Sequence, residues 1–211
     1  MAAYIGPMVA FGLLTAAEGY LPVSLYPPFY AFKALVVTAI LLLAGRIRPE
    51  IHPSRTVLIP AIITGVVVFV AWVAIERLAY PHIGTRVAFN PFDAMESPAA
   101  AWVFVAVRFY GLVMVVPVME ELFWRSFLLK YLSGTDVAST SVGPFKADAL
   151  VIMIVLSSVA HPEWLAGAVA SVIYARLLVS TRSLFATVVA HAVTNAMLGG
   201  YIVWTGEWQL W

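Results

Sequence analysis

The sequence predicts an all-α fold, a polytopic bundle of about seven transmembrane helices (six to eight), and three observations support this prediction. Hydrophobic residues make up 63% of the 211 residues and charged residues only 11%, and the mean hydropathy is +0.94. A soluble domain carries about 25% charged residues. Apolar segments close to the ~20 residues that cross a bilayer recur along the chain. Prolines separate these segments, as helix breakers do. We therefore expect one integral membrane domain over residues 1–211.

The apolar segments follow one another with mostly short polar connections. They lie near residues 3–20, 29–45, 56–76, 101–131, 148–161, 164–180 and 183–204. The fourth segment is unusually long. The fifth is short, and the residues "HPEW" link it tightly to the sixth, so these two are predicted to form a hairpin that does not fully cross. The longer polar connections are 77–100 and 133–147.

Charge and cysteine content exclude several classes of function. The net charge of about +1 provides no basic field for binding nucleic acid. The absence of cysteine excludes disulfides, thiolate metal sites and a cysteine nucleophile. The N-terminal apolar stretch lacks a preceding basic region, so we expect a true span rather than a cleaved signal.

The orientation in the membrane follows from the basic residues of short loops. Arg46, Arg48 and Arg55 lie between the second and third spans, whereas the first loop carries no Lys or Arg. This bias places 46–55 and the N-terminus in the cytoplasm, in a plasma or inner membrane, with 77–100 outside. We expect the active site to open to the cytoplasm as well. By alternation, the cytoplasmic side also receives Lys130, Lys146, Arg176 and Arg182. At the other side, an interfacial aromatic belt is predicted from Trp204, Trp208 and Trp211.

Ionisable groups inside predicted spans are expensive in a bilayer and therefore indicate function. Lys33, Arg108 and Arg176 lie close enough to span ends to extend towards the interface. The adjacent Glu120 and Glu121 cannot do so, because they lie well inside the long fourth segment. Arg125 follows Glu121 by four residues, the spacing of an ion pair along one helix face. We expect Arg125 to be the counter-charge of Glu121.

Depth in the bilayer brings Glu120 together with three further polar groups. With a rise of ~1.5 Å per residue, Glu120 lies roughly 15 Å from Lys130, and His161 about 20 Å from Asp148. His191 and Asn195 lie about 13 to 20 Å from Arg182 by the same rise, and their i, i+4 spacing places them on one helix face. Three helices thus place two carboxylates, two imidazoles and a carboxamide in one slab of the membrane.

Three short motifs carry these groups: "EELFWR" at 120–125, "SSVAH" at 157–161 and "HAVTN" at 191–195. In this order and spacing, residues of about 100–205 resemble the CAAX-protease and bacteriocin-processing (CPBP) family of intramembrane proteases, which includes the type II CAAX prenyl endopeptidases. The second motif of that family is usually F-x-x-x-H, and here Ser157 occupies the phenylalanine position. This departure concerns the shape of the substrate pocket more than the chemistry.

The resemblance implies hydrolysis of a peptide bond in a membrane-anchored or prenylated peptide or protein. Glu120 is then the general base that deprotonates water, and His161 helps to hold that water. His191 and Asn195 are expected to stabilise the oxyanion. Glu121, with Arg125, has a structural or assisting role. The expected partners are the lipid bilayer and the membrane-anchored substrate.

Three alternatives stay open at the level of sequence. Glu120, His161 and His191 also make a His₂Glu zinc set, although the H-E-x-x-H spacing is absent and each ligand comes from a different helix; we expect no cofactor. Buried Glu and His residues also occur in proton- or ion-coupled transporters, but no inverted repeat is visible. A non-catalytic membrane adaptor with the same fold is disfavoured because all the motif residues other than the phenylalanine are present.

Overall fold

The computed structural model describes residues 1–44, 50–84, 88–137, 142 and 145–211, and within these ranges it contains helices and no strands. We number the helices in chain order, counting the continuous helix Pro98–Ser133 once. They are α1 (Ala2–Glu18), α2 (Tyr26–Leu43), α3 (Leu58–Glu76), α4 (Pro91–Ala94), α5 (Pro98–Ser133), α6 (Ala147–Val159), α7 (Trp164–Thr181) and α8 (Leu184–Thr205). The all-α fold class is confirmed.

Five helical stretches in the described ranges are long and apolar enough to cross a membrane. They are Val23–Leu43, Arg55–Glu76, Pro98–Ser133, Trp164–Thr181 and Leu184–Thr205. The apolar helices α1 and α6 are shorter. All seven predicted apolar segments are therefore helical, and the protein is an integral membrane protein. The predicted short fifth helix ends at Val159, so His161 lies in the turn after α6 and not within a span.

The long helix α5 is not a uniform α-helix. Two stretches have π-helical hydrogen bonding, Gly111–Val115 and Leu122–Leu128. They flank the α-helical turn Val116–Glu121, which carries both glutamates. Wider π-helical turns are frequent at functional sites because they change the direction in which side chains point. The pattern of apolar residues alone could not predict these two stretches.

Helix α3 packs closely along α8 and α7, and Gly65 permits the contact with α8. A Cβ atom at this position would clash with the carbonyl oxygen of Ala190 and the side chain of Val193. The close approach lets the Thr194 hydroxyl bond the Gly65 carbonyl oxygen at 2.9 Å. Elsewhere, α1 packs on α2, and α6 packs on α7 as the predicted hairpin.

The bundle has two ends, which we call the first end and the second end. The first end contains the start of α3, the end of α5 and the loop between α7 and α8. There, Lys130 forms a buried ion pair with Glu50 at 3.1 Å, and Glu50 also accepts hydrogen bonds from Tyr4 and Ser126. Arg46 and Arg48, on which the predicted orientation largely depends, lie outside the described residues.

The second end contains the end of α3, the turn between α6 and α7, and the C-terminal residues. The Trp164 indole donates to the Pro81 carbonyl oxygen at 2.8 Å, and the Ile83 amide donates to Pro162 at 3.0 Å. The tryptophans of the predicted aromatic belt lie at this end. Trp204 is 85% exposed, whereas Trp208 and Trp211 pack against each other with ring centroids 5.5 Å apart.

The outer surface of the bundle is apolar, as contact with lipid chains requires. Large hydrophobic side chains are exposed on most of the helices, among them Leu13, Leu35, Ile59, Val103, Val155 and Val172. In water such a surface would promote aggregation, whereas in a bilayer it is the expected state. The prediction that Lys33 and Arg108 extend towards the membrane interface is wrong, because both are buried inside the bundle. Arg176, for which the same was predicted, is exposed.

Candidate active site

A cavity of about 340 Å³ lies inside the bundle, and its walls come from six of the helices and the turn between α6 and α7. Its lining includes all four residues that the sequence predicts as catalytic: Glu120, His161, His191 and Asn195. Its other polar lining residues include Arg108, Arg125, Ser157, Ser171, Tyr174 and Thr194. The shared depth inferred from helical rise thus corresponds to a shared cavity.

Glu120 faces His161 across this cavity. The His161 Nε2 atom lies 3.8 Å from Glu120 Oε2, which is too long for a direct hydrogen bond. One water oxygen can lie within hydrogen-bonding distance of both atoms at this separation. The Nδ1 atom of His161 lies 2.8 Å from the Ser157 carbonyl oxygen. Because a carbonyl only accepts, Nδ1 carries a proton and donates it to this bond, and Nε2 is the ring nitrogen nearer Glu120.

Glu121 points away from Glu120 into a fully buried ion-pair network. Its Oε1 atom accepts from Arg125 Nη1 at 2.7 Å, as the i, i+4 spacing predicts. The same oxygen lies 3.0 Å from Nδ1 of His191. The sequence predicted the pair of Glu121 and Arg125 but not this second contact, which joins α5 to α8. Glu121 therefore orients the ring of a cavity residue.

Tyr174 on α7 completes the surroundings of His191. The two rings stack with centroids 5.5 Å apart and planes inclined by 24°. The centroid of the Tyr174 ring also lies 5.1 Å from the Arg125 guanidinium carbon, and the Tyr174 hydroxyl donates to the Thr194 hydroxyl at 2.7 Å. A tyrosine in an apolar helix carries no sequence signal for such a role, so Tyr174 could not be predicted.

Asn195 is held by the first π-helical stretch of α5. Its Nδ2 atom donates to the carbonyl oxygen of Leu112 at 2.8 Å. A carboxamide carries two N–H groups, so the second remains for a group bound in the cavity. The predicted i, i+4 pair of His191 and Asn195 therefore places two side chains from α8 at the cavity, one fixed through Nδ1 by Glu121 and the other fixed through Nδ2 by Leu112.

Ser157, at the position where the family usually has phenylalanine, bonds a second serine. Its hydroxyl contacts the hydroxyl of Ser171 on α7, which in turn accepts from Arg125 Nη2 at 3.4 Å. The pair joins the α6–α7 hairpin to the Glu121 network. Ser157 therefore contributes a hydrogen bond between helices where phenylalanine would contribute volume.

The alternative zinc set consists of Glu120, His161 and His191. In the described part of the chain, no three His, Cys, Asp or Glu side chains come close enough together to hold a metal ion. The Nδ1 atom of His191 faces Glu121 rather than Glu120. Glu120 and His161 approach each other, whereas His191 is bonded through Nδ1 to Glu121. The absence of a cofactor stays a prediction.

The position of the cavity separates two parts of the predicted orientation. Its lining includes Trp72 near the end of α3 and Pro162 in the α6–α7 turn, both of which belong to the second end. The basic loop assigned to the cytoplasm adjoins the first end. If the first end faces the cytoplasm, the part of the cavity near Trp72 and Pro162 faces the other side of the membrane. The two predictions, a cytoplasmic first end and a cavity that opens to the cytoplasm, therefore do not agree. Which end faces the cytoplasm stays a prediction.

Comparison with known proteins agrees with the resemblance noted in the sequence. Residues 100–197 match the family model described as "Rce1-like: Type II CAAX prenyl endopeptidase Rce1-like". No curated protein matches the chain, and no solved structure does. The matched range includes all four predicted catalytic residues and the pair Glu121 and Arg125. This match favours a peptidase over the transporter and adaptor alternatives.

Proposed function

Since residues 100–197 form a domain of the type II CAAX prenyl endopeptidase-like family, we propose that the protein hydrolyses a peptide bond by attack of water activated by Glu120. The substrate is a membrane-anchored or prenylated peptide or protein that reaches the cavity from the bilayer. The observation that carries the proposal is the state of Glu120. It lines the cavity, and the basic side chain that pairs with it, His161, lies 3.8 Å away. The neighbouring carboxylate, Glu121, is neutralised by Arg125.

Water activation needs an acceptor for one proton and a second group that orients the oxygen. Glu120 accepts the proton as the water oxygen attacks the carbonyl carbon of the scissile bond. His161 accepts the other hydrogen at Nε2, since its Nδ1 proton points to the Ser157 carbonyl oxygen. Among the described residues that line the cavity, the two serines, Ser157 and Ser171, bond each other, and this supports direct attack by water rather than covalent catalysis.

The attack produces a tetrahedral intermediate whose oxygen carries a negative charge. Asn195 donates its free N–H group to this oxyanion. His191, held through Nδ1 by Glu121, donates to the same oxygen from Nε2 when the imidazole carries both protons. Breakage of the C–N bond then requires a proton on the leaving nitrogen, and the protonated Glu120 supplies it. The base is thereby regenerated, and one water is consumed for each bond cleaved.

Metal ions have no role in this mechanism. The proposal is consistent with the separation of His191 from the Glu120 and His161 pair, which leaves two of three ligands in place. Purified protein should therefore keep its activity after treatment with a chelator.

The test is cleavage by purified protein in liposomes, with product masses determined by mass spectrometry. The substrates are peptides anchored by an acyl chain or by a prenylated cysteine, which distinguishes the two anchors. We expect at least one anchored peptide to be cleaved at a defined bond, and the Glu120→Gln protein to leave it intact. Transport of protons or ions without cleavage of any anchored peptide would overturn the proposal.

A further inference from the structure

Arg108 is a buried cation that the proposed mechanism does not use. It lies on α5, is only 8% exposed, and lines the same cavity as Glu120. Charged side chains are almost never buried unless they are paired. In a bilayer protein, an arginine that turns inward instead of extending to the interface indicates a functional partner.

The charges around Arg108 do not balance. Glu18 is close enough to interact electrostatically with Arg108, but its Oε2 atom is bonded to Lys33 and its buried Oε1 atom forms no hydrogen bond with Arg108. This group therefore contains two cations and one carboxylate. Over residues 1–44, 50–84, 88–137 and 145–211, no Asp or Glu side chain forms an ion pair with Arg108.

Aromatic side chains hold the guanidinium in place without neutralising it. Its carbon lies 5.0 Å from the ring centroids of Tyr30 and Trp211 and 5.7 Å from that of Tyr26. The Tyr26 hydroxyl accepts a hydrogen bond from Nη1, while Nε is buried without a partner. A guanidinium presents five N–H donors in a planar fork that matches a carboxylate. At least one donor of this fork is unused.

Comparison with Arg125 on the same helix shows what Arg108 lacks. Arg125 also lines the cavity and also packs on a tyrosine ring, but it has Glu121 as its counter-charge. Both arginines are buried and held by aromatic groups. In the described part of the chain, Arg125 has a carboxylate that bonds its guanidinium and Arg108 has none.

We propose that Arg108 binds the C-terminal carboxylate of the peptide substrate and so sets which peptides are accepted. This inference rests on the proposed peptidase function. Twelve residues separate Arg108 from Glu120, or about 18 Å at the rise of an α-helix. An extended peptide covers about 3.3 Å per residue, so the carboxylate lies no more than about five or six residues from the bond that is cleaved.

The cavity favours a peptide carboxylate over the phosphate of a lipid. Its volume of about 340 Å³ is at the lower end of the range for pockets that hold drug-sized ligands. This volume suits a short extended peptide, whereas a phospholipid would also have to place two acyl chains. The aromatic groups around Arg108 further restrict access to its donors.

The test measures binding, so that it does not depend on catalysis. The Glu120→Gln protein is placed in phosphatidylcholine nanodiscs, and two fluorescent acylated peptides of about six residues are titrated. They differ only in a free C-terminal carboxylate or a C-terminal amide. Hydrogen bonds to charged groups correspond to a difference of about 10- to 100-fold, and we expect the carboxylate peptide to bind more tightly by this factor.

Variants of Arg108 then locate the effect. Arg108→Gln in the Glu120→Gln background should bring the two affinities within about twofold of each other, while Arg108→Lys, which keeps the charge but loses the fork, should keep part of the difference. The matched control is Arg77→Gln. Arg77 also donates to a tyrosine, Tyr201, but is exposed and outside this cavity, so the full difference should persist.

Several results would overturn the proposal. The first is equal affinity for the carboxylate and amide peptides when Arg108 is unchanged. The second is a difference in affinity that persists in Arg108→Gln, and the third is binding of neither peptide. If Arg108→Gln does not fold, an undiminished difference in Arg108→Lys overturns it. Loss of the difference in nanodiscs of phosphatidylglycerol would assign the site to lipid headgroups instead. A difference that disappears in Arg108→Gln would stand even if no peptide were cleaved, so the two proposals can fail separately.

Discussion

Glu120 and Glu121 are adjacent in the chain but occupy opposite environments. Glu121 is 0% exposed and bonded to Arg125 and His191, whereas the Glu120 side chain is 12% exposed and lines the cavity 3.8 Å from His161. Neighbouring residues of an α-helix point about 100° apart, so one turn can serve two regions. Glu121, Arg125, His191 and Ser171 form what we call the neutral cluster, because Arg125 neutralises the Glu121 carboxylate. The cavity, in contrast, retains a carboxylate able to react.

The two regions are connected as well as distinct. His191 lines the cavity but takes its orientation from Glu121. Ser171 bonds both Arg125 and Ser157, and the backbone carbonyl of Ser157 bonds His161. The neutral cluster therefore positions both imidazoles of the cavity. Variants on the cluster side should alter stability first, and variants on the cavity side should alter turnover first.

The largest effect is expected from Arg125→Ala, which removes the counter-charge of Glu121. Breaking a buried ion pair from one side costs about 3–5 kcal/mol because the other charge is left uncompensated. We expect a low folded yield and a lower midpoint of thermal unfolding in detergent. Arg176→Ala, at an exposed position on α7, is the control and should behave like the unchanged protein. Equal yields for both variants would remove the structural role assigned to the pair.

On the cavity side, Asn195→Ala should reduce turnover by roughly 100- to 1,000-fold, the usual loss for one oxyanion donor. Its effect on the free energy of unfolding should be smaller, about 1 kcal/mol, because only the bond to Leu112 is lost. Turnover of the anchored peptide and thermal unfolding are measured on the same preparation. A loss of activity that merely parallels a loss of folded protein would show that Asn195 acts through packing.

A smaller effect is expected from Ser171→Ala, which removes the link between the cluster and the α6–α7 hairpin. The loss of hydrogen bonds to Arg125 and Ser157 should lower the free energy of unfolding by about 1–3 kcal/mol. Ser180→Ala is the matched control on the same helix, since its hydroxyl bonds only the Leu177 carbonyl oxygen in the described structure. Similar unfolding curves for the two variants would mean that the link does not contribute.

The smallest effect is expected from removal of metal ions. After incubation with a chelator and exchange into metal-free buffer, turnover should stay within about twofold of its starting value. A loss of activity that added zinc restores would show that Glu120, His161 and a further ligand bind a metal in the working enzyme. The distinction between a neutral cluster and a reactive cavity would then need revision.

Much of the fold could be predicted because a bilayer imposes simple rules. Apolar length predicted seven helices, and the i, i+4 spacing predicted the pair of Glu121 and Arg125. Helical rise predicted that residues from three helices would share one level. Each of these signals is a property of a single helix. They can therefore be read from the sequence without knowing how the helices pack.

Contacts that depend on packing between helices could not be predicted. Arg108 lies near the start of a long span, so a position at the interface was expected, yet the fold buries it among Tyr26, Tyr30 and Trp211. The bond between Ser157 and Ser171 and the stacking of Tyr174 on His191 likewise have no periodic signal. The catalytic roles of the four cavity residues stay predictions.

The most direct measurement compares Glu120→Gln with Glu121→Gln in the same membrane preparation. Each substitution keeps the shape of the side chain and removes its charge. The account predicts that Glu120→Gln lowers turnover by at least about 100-fold, the lower bound for loss of a general base, with an unchanged unfolding midpoint. Glu121→Gln should instead destabilise the fold by several kcal/mol, because Arg125 is left unpaired. Cleavage at the wild-type rate by the Glu120→Gln protein would contradict the account.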